Sequence, residues 1–280
     1  MINKYRWYEL VGIYAGIAAF LAFLLAPFFE AFLVSLRPWR KIISIPYQVF
    51  TEGMSFDAYF SVWNRVPLLG QFIWNSFFIG LCVTLLTLIA VIPAAWAFGR
   101  FKFKGSALLL TAFLTITMIG PTVFVLPLFK MFLKLGLLNT QLAVIVPGAA
   151  FLIPVGIWLL RSYMMTIPRE LEEAAWVDGA SRLYILRRVI LPIAMPGIVV
   201  VAIATFIGAY SQQFVLSYAF LWDPTLQPLP VGLYPYAVGS GVRWNEIMAA
   251  SIIGILPVLF IYPFLQRHMV AGLTAGAVKA

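Results

Sequence analysis

The chain contains six apolar runs, each close to the length that crosses a lipid bilayer. They cover residues 11–36, 71–98, 106–129, 142–160, 193–215 and 247–265. A membrane-spanning α-helix needs about 20 apolar residues, and apart from closed β-barrels only helices satisfy their backbone hydrogen bonds in lipid. The runs therefore predict an all-α membrane protein with six transmembrane helices. An even number of crossings places both termini on one side of the membrane.

The composition excludes the water-soluble classes of protein. Of the 280 residues, 63% are hydrophobic and 10% are charged, whereas an average soluble domain is roughly 45–50% apolar and about 25% charged. A soluble protein of this size could not bury so much apolar surface. A soluble enzyme, a disordered chain and a secreted disulfide scaffold are therefore excluded, the last also because Cys82 is the single cysteine.

The basic residues indicate which side of the membrane each loop occupies. The net charge is +9, from 19 Lys and Arg against 10 Asp and Glu. If both termini are cytoplasmic, twelve basic residues lie on the cytoplasmic side and seven outside, which is the bias that membrane proteins show. The turn with Arg100, Lys102 and Lys104 is the clearest cytoplasmic marker. Lipid headgroups account for the positive charge, and no basic patch interleaved with aromatic residues indicates nucleic acid as a partner.

Ionisable side chains are missing from the central parts of the second to sixth runs. Proton- or ion-coupled transporters need such groups at membrane depth, so secondary active transport is not expected. The sequence shows no cluster typical of a metal site, and the one histidine, His268, leaves no base for a membrane serine. The phosphate-loop motif Gly-x-x-x-x-Gly-Lys-Ser/Thr is also missing. We therefore expect a protein that is not an enzyme, binds no cofactor itself and depends on another polypeptide for energy.

The segment 164–192 is amphipathic and holds four of the ten acidic residues. Pro168 suits a first helical turn, and the three glutamates that follow it suit the positive end of a helix. Gly179 suits the end of that helix. The segment predicts a short helix, a tight turn and a second helix that leads into the fifth run. Two interpretations remain open: a rigid knob that seats in a cytoplasmic partner, or an amphipathic loop that lies on lipid headgroups.

This segment resembles the cytoplasmic loop of bacterial ABC importer permeases. The family pattern is Glu-Ala-Ala, three residues, Gly, nine residues and Ile-x-Leu-Pro. Here Glu173-Ala174-Ala175, Gly179 and Val189-Ile190-Leu191-Pro192 match at the same spacing, with Val189 in place of isoleucine. In that family the loop is a coupling helix that docks into a groove on the ATP-binding subunit. The resemblance implies a coupling site formed by Glu173, Ala174, Ala175, Asp178, Gly179, Leu191 and Pro192.

The resemblance covers nearly the whole chain and narrows to the carbohydrate branch, in particular the shorter, six-span partner of the maltose-type permease pair. The second run carries Asn75-Ser76 near its start and residues 94–100 at its end as in that branch, and residues 266–280 are similar to its tail. The implied fold is that of a type I ABC importer permease. The tail, with Thr274, Gly276 and Lys279, is implied to contact the ATPase.

The family also implies three parts of the chain and a set of partners. Residues 1–70 form the first transmembrane helix and an outer loop, residues 71–265 form the permease core with five transmembrane helices and coupling loop 164–192, and residues 266–280 form a cytoplasmic tail. The implied partners are a homologous second permease, two ATP-binding subunits that hold ATP and Mg, and an external solute-binding protein at loop 222–243. The implied location is the lipid bilayer of the bacterial inner membrane.

The implied function is ATP-driven import of a sugar or sugar-like solute, with this chain forming half of the path. Polar residues suited to hydroxyl groups at membrane depth are Asn75, Tyr210, Gln212 and Gln213; the alternative for each is hydrogen bonding between helices. Relatives often carry an acid where this chain has Gln212, so the sugar is not assigned. The alternatives are import of a polyol, glycerol phosphate, a sulfonated sugar or an oligopeptide by the same fold, and a passive channel or facilitator.

Overall fold

The computed structural model describes residues 6–43, 48–101, 103–211, 214–239 and 241–277, with side chains in the last stretch described to Phe260 and at Pro263. All regular structure in these residues is helical. The helices are α1 (Trp7–Leu36), α2 (Asp57–Arg65), α3 (Leu69–Arg100), α4 (Ser106–Thr117), α5 (Pro121–Leu135), α6 (Leu142–Met164), α7 (Glu170–Val177), α8 (Arg182–Ser211), α9 (Phe214–Phe220), α10 (Leu229–Ala237) and α11 (Trp244–Ala277). Short 3-10 turns cover Trp39–Lys41 and Pro224–Leu226.

Four helices in the described part of the chain are long and apolar enough to cross a membrane, namely α1, α3, α6 and α8. They confirm four of the six predicted runs. The third run is divided between α4 and α5, which give a fifth crossing if the pair is one broken span. The sixth run lies in α11, whose described apolar part, Trp244–Phe260, is shorter than a full span. The sixth crossing stays a prediction.

The third run differs from the single helix that its hydropathy indicates, because α4 and α5 meet at an angle of 93°. Helix α4 ends at Thr117, and α5 begins with Pro121 directly after Gly120. Proline has no N–H for the preceding turn, and it disfavours helical conformation in the residue before it. Gly120 is accordingly extended, with φ −59° and ψ 149°. The helix therefore stops and restarts in a new direction at this point.

The chain divides into two compact units. The first contains Met1–Pro67 with Leu233–Gly254, and the second contains Leu68–Gly232 with Ile255–Ala280. Each unit thus combines two separated stretches of sequence. The predicted division at residues 70 and 265 stays a prediction.

The second unit is built around α3, α6 and α8. Val91, Leu160, Ile190 and Val201 are buried in one cluster where these helices meet. A β-carbon added to Gly156 on α6 would lie 2.8 Å from Val91 on α3. Small residues let membrane helices approach closely, which increases their van der Waals contact. These three helices form the packed core that carries the candidate site.

The first unit contains a buried ion-pair cluster at the start of α11. Glu246 is 3% exposed, and its Oε1 accepts a hydrogen bond from the hydroxyl of Ser61 at 2.8 Å. Arg65 Nε lies 3.2 Å from Oε2 of this carboxylate, and Arg243 Nη1 lies 3.1 Å from Oε1. Burying a carboxylate is costly unless it is paired and hydrogen-bonded, and here both conditions are met. The cluster fixes α2 to the first turn of α11.

Candidate functional site

Helix α7 ends where the sequence predicts. Gly179 has φ +82°, in the left-handed region that favours glycine. Its N–H donates to the carbonyl of Trp176 at 3.0 Å, and the N–H of Ala180 donates to the carbonyl of Ala175 at 3.0 Å. These two bonds form a Schellman motif, which satisfies the last carbonyls of a helix. The predicted short helix, tight turn and second helix are confirmed.

The second helix of the segment, α8, runs without a break from Arg182 into the fifth apolar run. Its residues Ile185–Ile190 form a π-helical turn. Pro192 follows this turn, and because proline lacks an N–H and crowds the carbonyl four residues earlier, it favours a wider turn there. Leu191 is half-buried and Pro192 is exposed. Both of these predicted site residues lie on α8, beyond the π-helical turn, and not on α7.

One face of α7 is bound to the end of α3 by an ion pair. Arg100 Nε lies 2.6 Å from Oε1 of Glu172, and the two side chains are 6% and 17% exposed. Arg100 also donates from Nη2 to the carbonyl of Ile167 at 2.8 Å. The contact with Glu172 is an ion pair, whereas the contact with Ile167 is a hydrogen bond from the charged guanidinium. Arg100 therefore joins α3, the linker after α6 and the first turn of α7.

A second arginine ties the end of α6 to the end of α3. Arg161 Nε donates to the carbonyl of Phe98 at 3.1 Å. The last four carbonyls of a helix have no partner within it, and a positive charge near a helix C-terminus is favourable. The Arg161 guanidinium on α6 thus satisfies a carbonyl at the end of α3, while the Arg100 guanidinium on α3 binds the linker after α6.

A cation–π cluster joins the end of α7 to the start of α8. The guanidinium carbon of Arg182 lies 5.8 Å from the centre of the Trp176 ring and 5.1 Å from the centre of the Phe101 ring. Such contacts attract a cation to the face of an aromatic ring within about 6 Å. Phe101 directly follows α3. The cluster therefore brings the ends of α3 and α7 against the first turn of α8.

The other face of α7 is open. Among the predicted coupling residues on this segment, four are exposed and one is half-buried against the core; these are Glu173, Ala174, Asp178 and Gly179, and then Ala175. Val177 beside them is 88% exposed. A carboxylate, small residues and an apolar side chain on a firmly held helix suit docking into a groove of another protein. The geometry accordingly gives α7 an inner face fixed to its own chain and an outer face available to a partner.

Asn75, one of the candidate path residues, is buried, with 2% of its surface exposed. Its Nδ2 donates to the carbonyls of Thr225 at 2.7 Å and Gln227 at 3.0 Å. Its Oδ1 accepts from Gln71 at 3.0 Å and from Gln141 at 3.2 Å. An asparagine amide can make four hydrogen bonds, and all four are used within the chain. These bonds join Asn75 to its own helix, to the start of α6 and to the segment 225–227, whereas the alternative expected from the sequence was bonding between helices.

The remaining path residues lie around the end of α8. Tyr210 is half-buried, and its ring centre lies 5.9 Å from that of Phe206. Gln212 and Gln213 lie outside the described residues, directly between α8 and α9. Tyr210 is thus the one residue of these three whose surroundings the structure describes.

Asn139 positions the segment after α9, a role that the sequence analysis did not predict. It has φ +57°, a conformation that asparagine tolerates better than most residues. Its Oδ1 accepts from the N–H groups of Trp222 and Asp223, both at 2.9 Å, and its own N–H donates to the carbonyl of Phe220 at 2.9 Å. The signal was an asparagine in the short connection between α5 and α6, a residue type that favours turns. Asn139 and Asn75 hold the two ends of the segment 222–227.

The predicted ATPase-contacting tail lies at the end of α11. The backbone of Thr274 and Gly276 belongs to this helix, which runs to Ala277. The side chains of both residues, and the whole of Lys279, lie outside the described part of the chain. Within the described residues, no three His, Cys, Asp or Glu side chains are grouped so that they could hold a metal ion.

These features define a class of protein: an all-helical, multi-pass membrane protein with a short helix anchored on one face between two of its membrane runs. Residues 88–274, more than half of the chain, match the family described as binding-protein-dependent transport system inner membrane component. The chain belongs to this family. The match includes α6, α7 and α8 completely.

Several curated relatives are similar over most of their length. The inner membrane ABC transporter permease protein YcjP of Escherichia coli K12 is 32% identical over 282 residues, which cover 100% of both chains. The sulfoquinovosyl glycerol transport system permease SmoH of Agrobacterium fabrum is 33% identical and covers 88% of this chain and 85% of its own. The trehalose/maltose transport system permease MalG of Thermococcus litoralis is 37% identical, with 73% and 74% covered.

Solved structures show the same fold. A chain of a bacterial ABC transporter that imports the acidic polysaccharide alginate aligns with a TM-score of 0.73 at 23% identity, covering 94% of this chain and 98% of the other. A chain of the inward-facing MetNI methionine ABC transporter aligns with a TM-score of 0.60 at 18% identity, covering 75% and 98%. The expected type I importer permease fold is confirmed.

Proposed function

We propose that this chain is a permease subunit of an ATP-driven importer for a sugar or sugar-like solute, and that α7 is its coupling helix. The observation that carries the proposal is the two-faced arrangement of α7. Its inner face is bound to α3 and α8 by Glu172 and Trp176, and its outer face presents Glu173 and Ala174. A helix held in this way can receive force from a partner and pass it to membrane spans.

Both termini and α7 lie in the cytoplasm in this proposal. The contact between Arg100 and Glu172 places the end of α3 and α7 on the same side of the membrane. The basic turn after α3 favours the cytoplasm for that side, since cytoplasmic loops are rich in Lys and Arg. The location that follows is the bacterial inner membrane.

The proposed assembly contains a homologous second permease, two ATP-binding subunits and an external solute-binding protein. The Glu173 face of α7 and the tail residues Thr274, Gly276 and Lys279 contact the ATP-binding subunits. ATP and Mg bind to those subunits, so this chain is not an enzyme and holds no cofactor. The solute-binding protein docks at the outer loop 222–243. The closing of the ATP-binding subunits shifts the permease between two conformations that exist in equilibrium.

The names of several relatives support a sugar as the solute. They specify trehalose and maltose, sulfoquinovosyl glycerol and diacetylchitobiose, all of which are rich in hydroxyl groups. Hydroxyl groups are recognised by a few well-placed polar side chains beside aromatic faces. Tyr210, Gln212 and Gln213 remain the proposed path residues of this chain, whereas the amide of Asn75 has no bonding capacity left for a solute.

Purification and reconstitution of the native complex test the function. A tag on this chain should copurify an ATP-binding subunit, a second permease and a binding protein, identified by mass spectrometry. Thermal shift of that binding protein against trehalose, maltose, diacetylchitobiose, sulfoquinovosyl glycerol and glycerol 3-phosphate then selects the solute. We expect a sugar to stabilise it and to accumulate in proteoliposomes only with ATP. If glycerol 3-phosphate alone stabilises the binding protein, the solute is not a sugar. If the solute enters the proteoliposomes without ATP and does not accumulate above its external concentration, the protein is a passive facilitator.

Variants of α7 test the coupling site in the same proteoliposomes. We expect Glu173→Gln to leave the complex assembled but to abolish ATP-driven uptake. Gly179→Asp should block assembly or uptake, since it adds a charge and a side chain at the exposed turn. The matched control is Glu170→Gln, which removes an exposed carboxylate from the same helix turn and should transport normally. A Gly179→Asp complex that assembles and transports normally shows that the coupling assignment is wrong.

A further inference from the structure

Two neighbouring glutamates of α7, Glu172 and Glu173, have different surroundings. Glu173 is exposed on the outer face, whereas the Glu172 side chain is 17% exposed and lies 2.6 Å from Arg100 Nε. The inference drawn from this difference rests on the proposed function, because it concerns how a displacement of α7 reaches the membrane spans.

Helix α8 is connected to α7 by the chain itself. The Schellman turn at Gly179 fixes the direction of the connection, and Arg182 at the start of α8 lies over the ring of Trp176. A displacement of α7 is therefore transmitted to α8 by a tight, covalently continuous turn. This route needs no residue from elsewhere in the sequence.

Helix α3 has no such connection, since its last residue, Arg100, is 70 positions before the first residue of α7, Glu170. It is bound to α7 through the ion pair between Arg100 and Glu172. The Arg100 side chain is 6% exposed, and a pair this poorly hydrated is screened by salt much less than a surface pair. A hydrogen bond from Arg100 Nη2 to the carbonyl of Ile167 holds the guanidinium against the linker that precedes α7.

We propose that Arg100 and Glu172 are a positioning pair that transmits the movement of α7 to α3 during the ATP-driven cycle. Because of this pair, a single displacement of α7 moves two core spans, α3 as well as α8. The contact of Phe101 with Arg182 also links the end of α3 to the start of α8, so part of the α3 response persists without the pair. Removing the Glu172 charge therefore leaves α8 responsive and weakens the response of α3.

Hydrogen–deuterium exchange on the complete transporter in nanodiscs measures the two responses separately and needs no solute. The exchange of peptides 96–101 at the end of α3 and 182–190 at the start of α8 is compared between the nucleotide-free state and the state trapped with ATP, Mg and vanadate. In the wild type we expect both peptides to change. In Glu172→Gln, which keeps the shape of the side chain, we expect the change to persist in the α8 peptide and to fall well below wild type in the α3 peptide. The control Glu170→Gln should behave as wild type.

The outcomes separate this inference from the proposed function. Normal changes in both peptides of an assembled Glu172→Gln complex overturn the inference and leave the proposed function intact. Equal loss in both peptides also overturns it, because the pair then supports α7 as a whole. A wild-type complex with neither peptide responding to nucleotide contradicts the proposed function itself. If Glu172→Gln does not assemble, as judged by size-exclusion chromatography, Arg100→Gln breaks the pair from the other side, together with the Ile167 hydrogen bond, and is held to the same outcomes.

Discussion

Gly197 on α8 lies directly against the ring of Tyr163 on α6. A β-carbon added to this glycine would lie 2.5 Å from Cγ of the tyrosine, 2.6 Å from Cδ1 and 3.0 Å from Cβ. These atoms include the rigid root of the ring, which cannot swing away as the end of a flexible side chain can. The absence of a side chain at Gly197 therefore sets the distance between two core helices.

We predict that Gly197→Ala destabilises the core, although alanine is the better helix former. Overpacking of a close contact typically costs about 1–3 kcal/mol, so the melting temperature of the purified complex should fall by several degrees. Gly12→Ala is the matched control, because Gly12 is also helical and has no neighbouring atom within 4 Å of the added carbon. Equal melting temperatures for the two variants would show that α6 and α8 can move apart to fit the added methyl group without loss of stability.

Asn75→Asp tests the side-chain amide of Asn75, whose four hydrogen-bonding positions are all used within the chain. The substitution keeps the shape of the side chain but directs an acceptor oxygen at the carbonyls of Thr225 and Gln227, which now receive two N–H bonds. Each lost hydrogen bond costs about 1 kcal/mol, and unpaired buried groups cost more. We therefore expect the free energy of unfolding, measured by thermal melting of the purified complex, to fall by about 2–4 kcal/mol. Gln71→Ala, which removes one bond from an exposed donor, should cost much less. A fully stable Asn75→Asp complex refutes this role for Asn75.

Glu246→Gln should destabilise the first unit. The substitution removes the shared counter-charge of Arg65 and Arg243 while preserving the shape of the buried side chain. Because both arginines are partly exposed, we expect the loss to be about 1–2 kcal/mol, which is below the usual cost of breaking a fully buried pair. Thermal melting of the purified complex measures it. The control is Glu52→Gln, at an exposed carboxylate on the α1–α2 connection, and a fall of the same size there contradicts the prediction.

Thr225→Val should alter the pH dependence of stability in the segment after α9. The hydroxyl and the N–H of Thr225 donate to Asp223 Oδ1 at 2.7 Å and 2.9 Å, and these bonds hold the pKa of the Asp223 carboxyl below its ordinary value. They favour the ionised form, so their stabilisation is complete above the ordinary pKa and is lost as the pH falls through the lowered pKa. The melting temperatures of wild type and Thr225→Val should therefore differ at pH 7 and converge in acid.

The control for this titration is Thr111→Val. The hydroxyl of Thr111 donates to the carbonyl of Ala107 in its own helix, so removing it affects no carboxylate. Its effect on the melting temperature should stay constant with pH. A Thr225→Val difference that also stays constant would disprove the link to Asp223.

The sequence predicts the parts of this fold that depend on local pattern. Apolar runs of sufficient length locate α1, α3, α6 and α8, because length and hydropathy decide whether a helix can cross lipid. Gly179 marks the end of α7 correctly, since the left-handed cap is a property of one residue. The bend before Pro121 was also within reach of local reasoning, but hydropathy alone treats Gly120-Pro121 as part of one apolar run.

The remaining features depend on which distant residues meet. In the sequence Arg100 is a marker of the cytoplasmic side, and nothing in its neighbourhood indicates Glu172, 72 positions later, as its partner. Asn75 stands out as a polar residue in an apolar run, yet its role depends on Thr225, Gln227 and Gln141, which the fold brings to it. The sequence alone therefore leaves the two alternatives for Asn75 open.

The contrast between Glu172 and Glu173 has a genetic consequence. The two residues are identical in type and adjacent in sequence, but their interaction partners are encoded by different genes. Glu172 pairs with Arg100 of the same polypeptide, whereas the proposed partner of Glu173 belongs to another subunit. Suppressors of a Glu172 substitution are expected in cis, at codon 100 of the same gene. Suppressors of a Glu173 substitution are expected in trans, in the gene for the ATP-binding subunit. Two adjacent codons of one gene are thus expected to have suppressors of different kinds, intragenic for Glu172 and intergenic for Glu173.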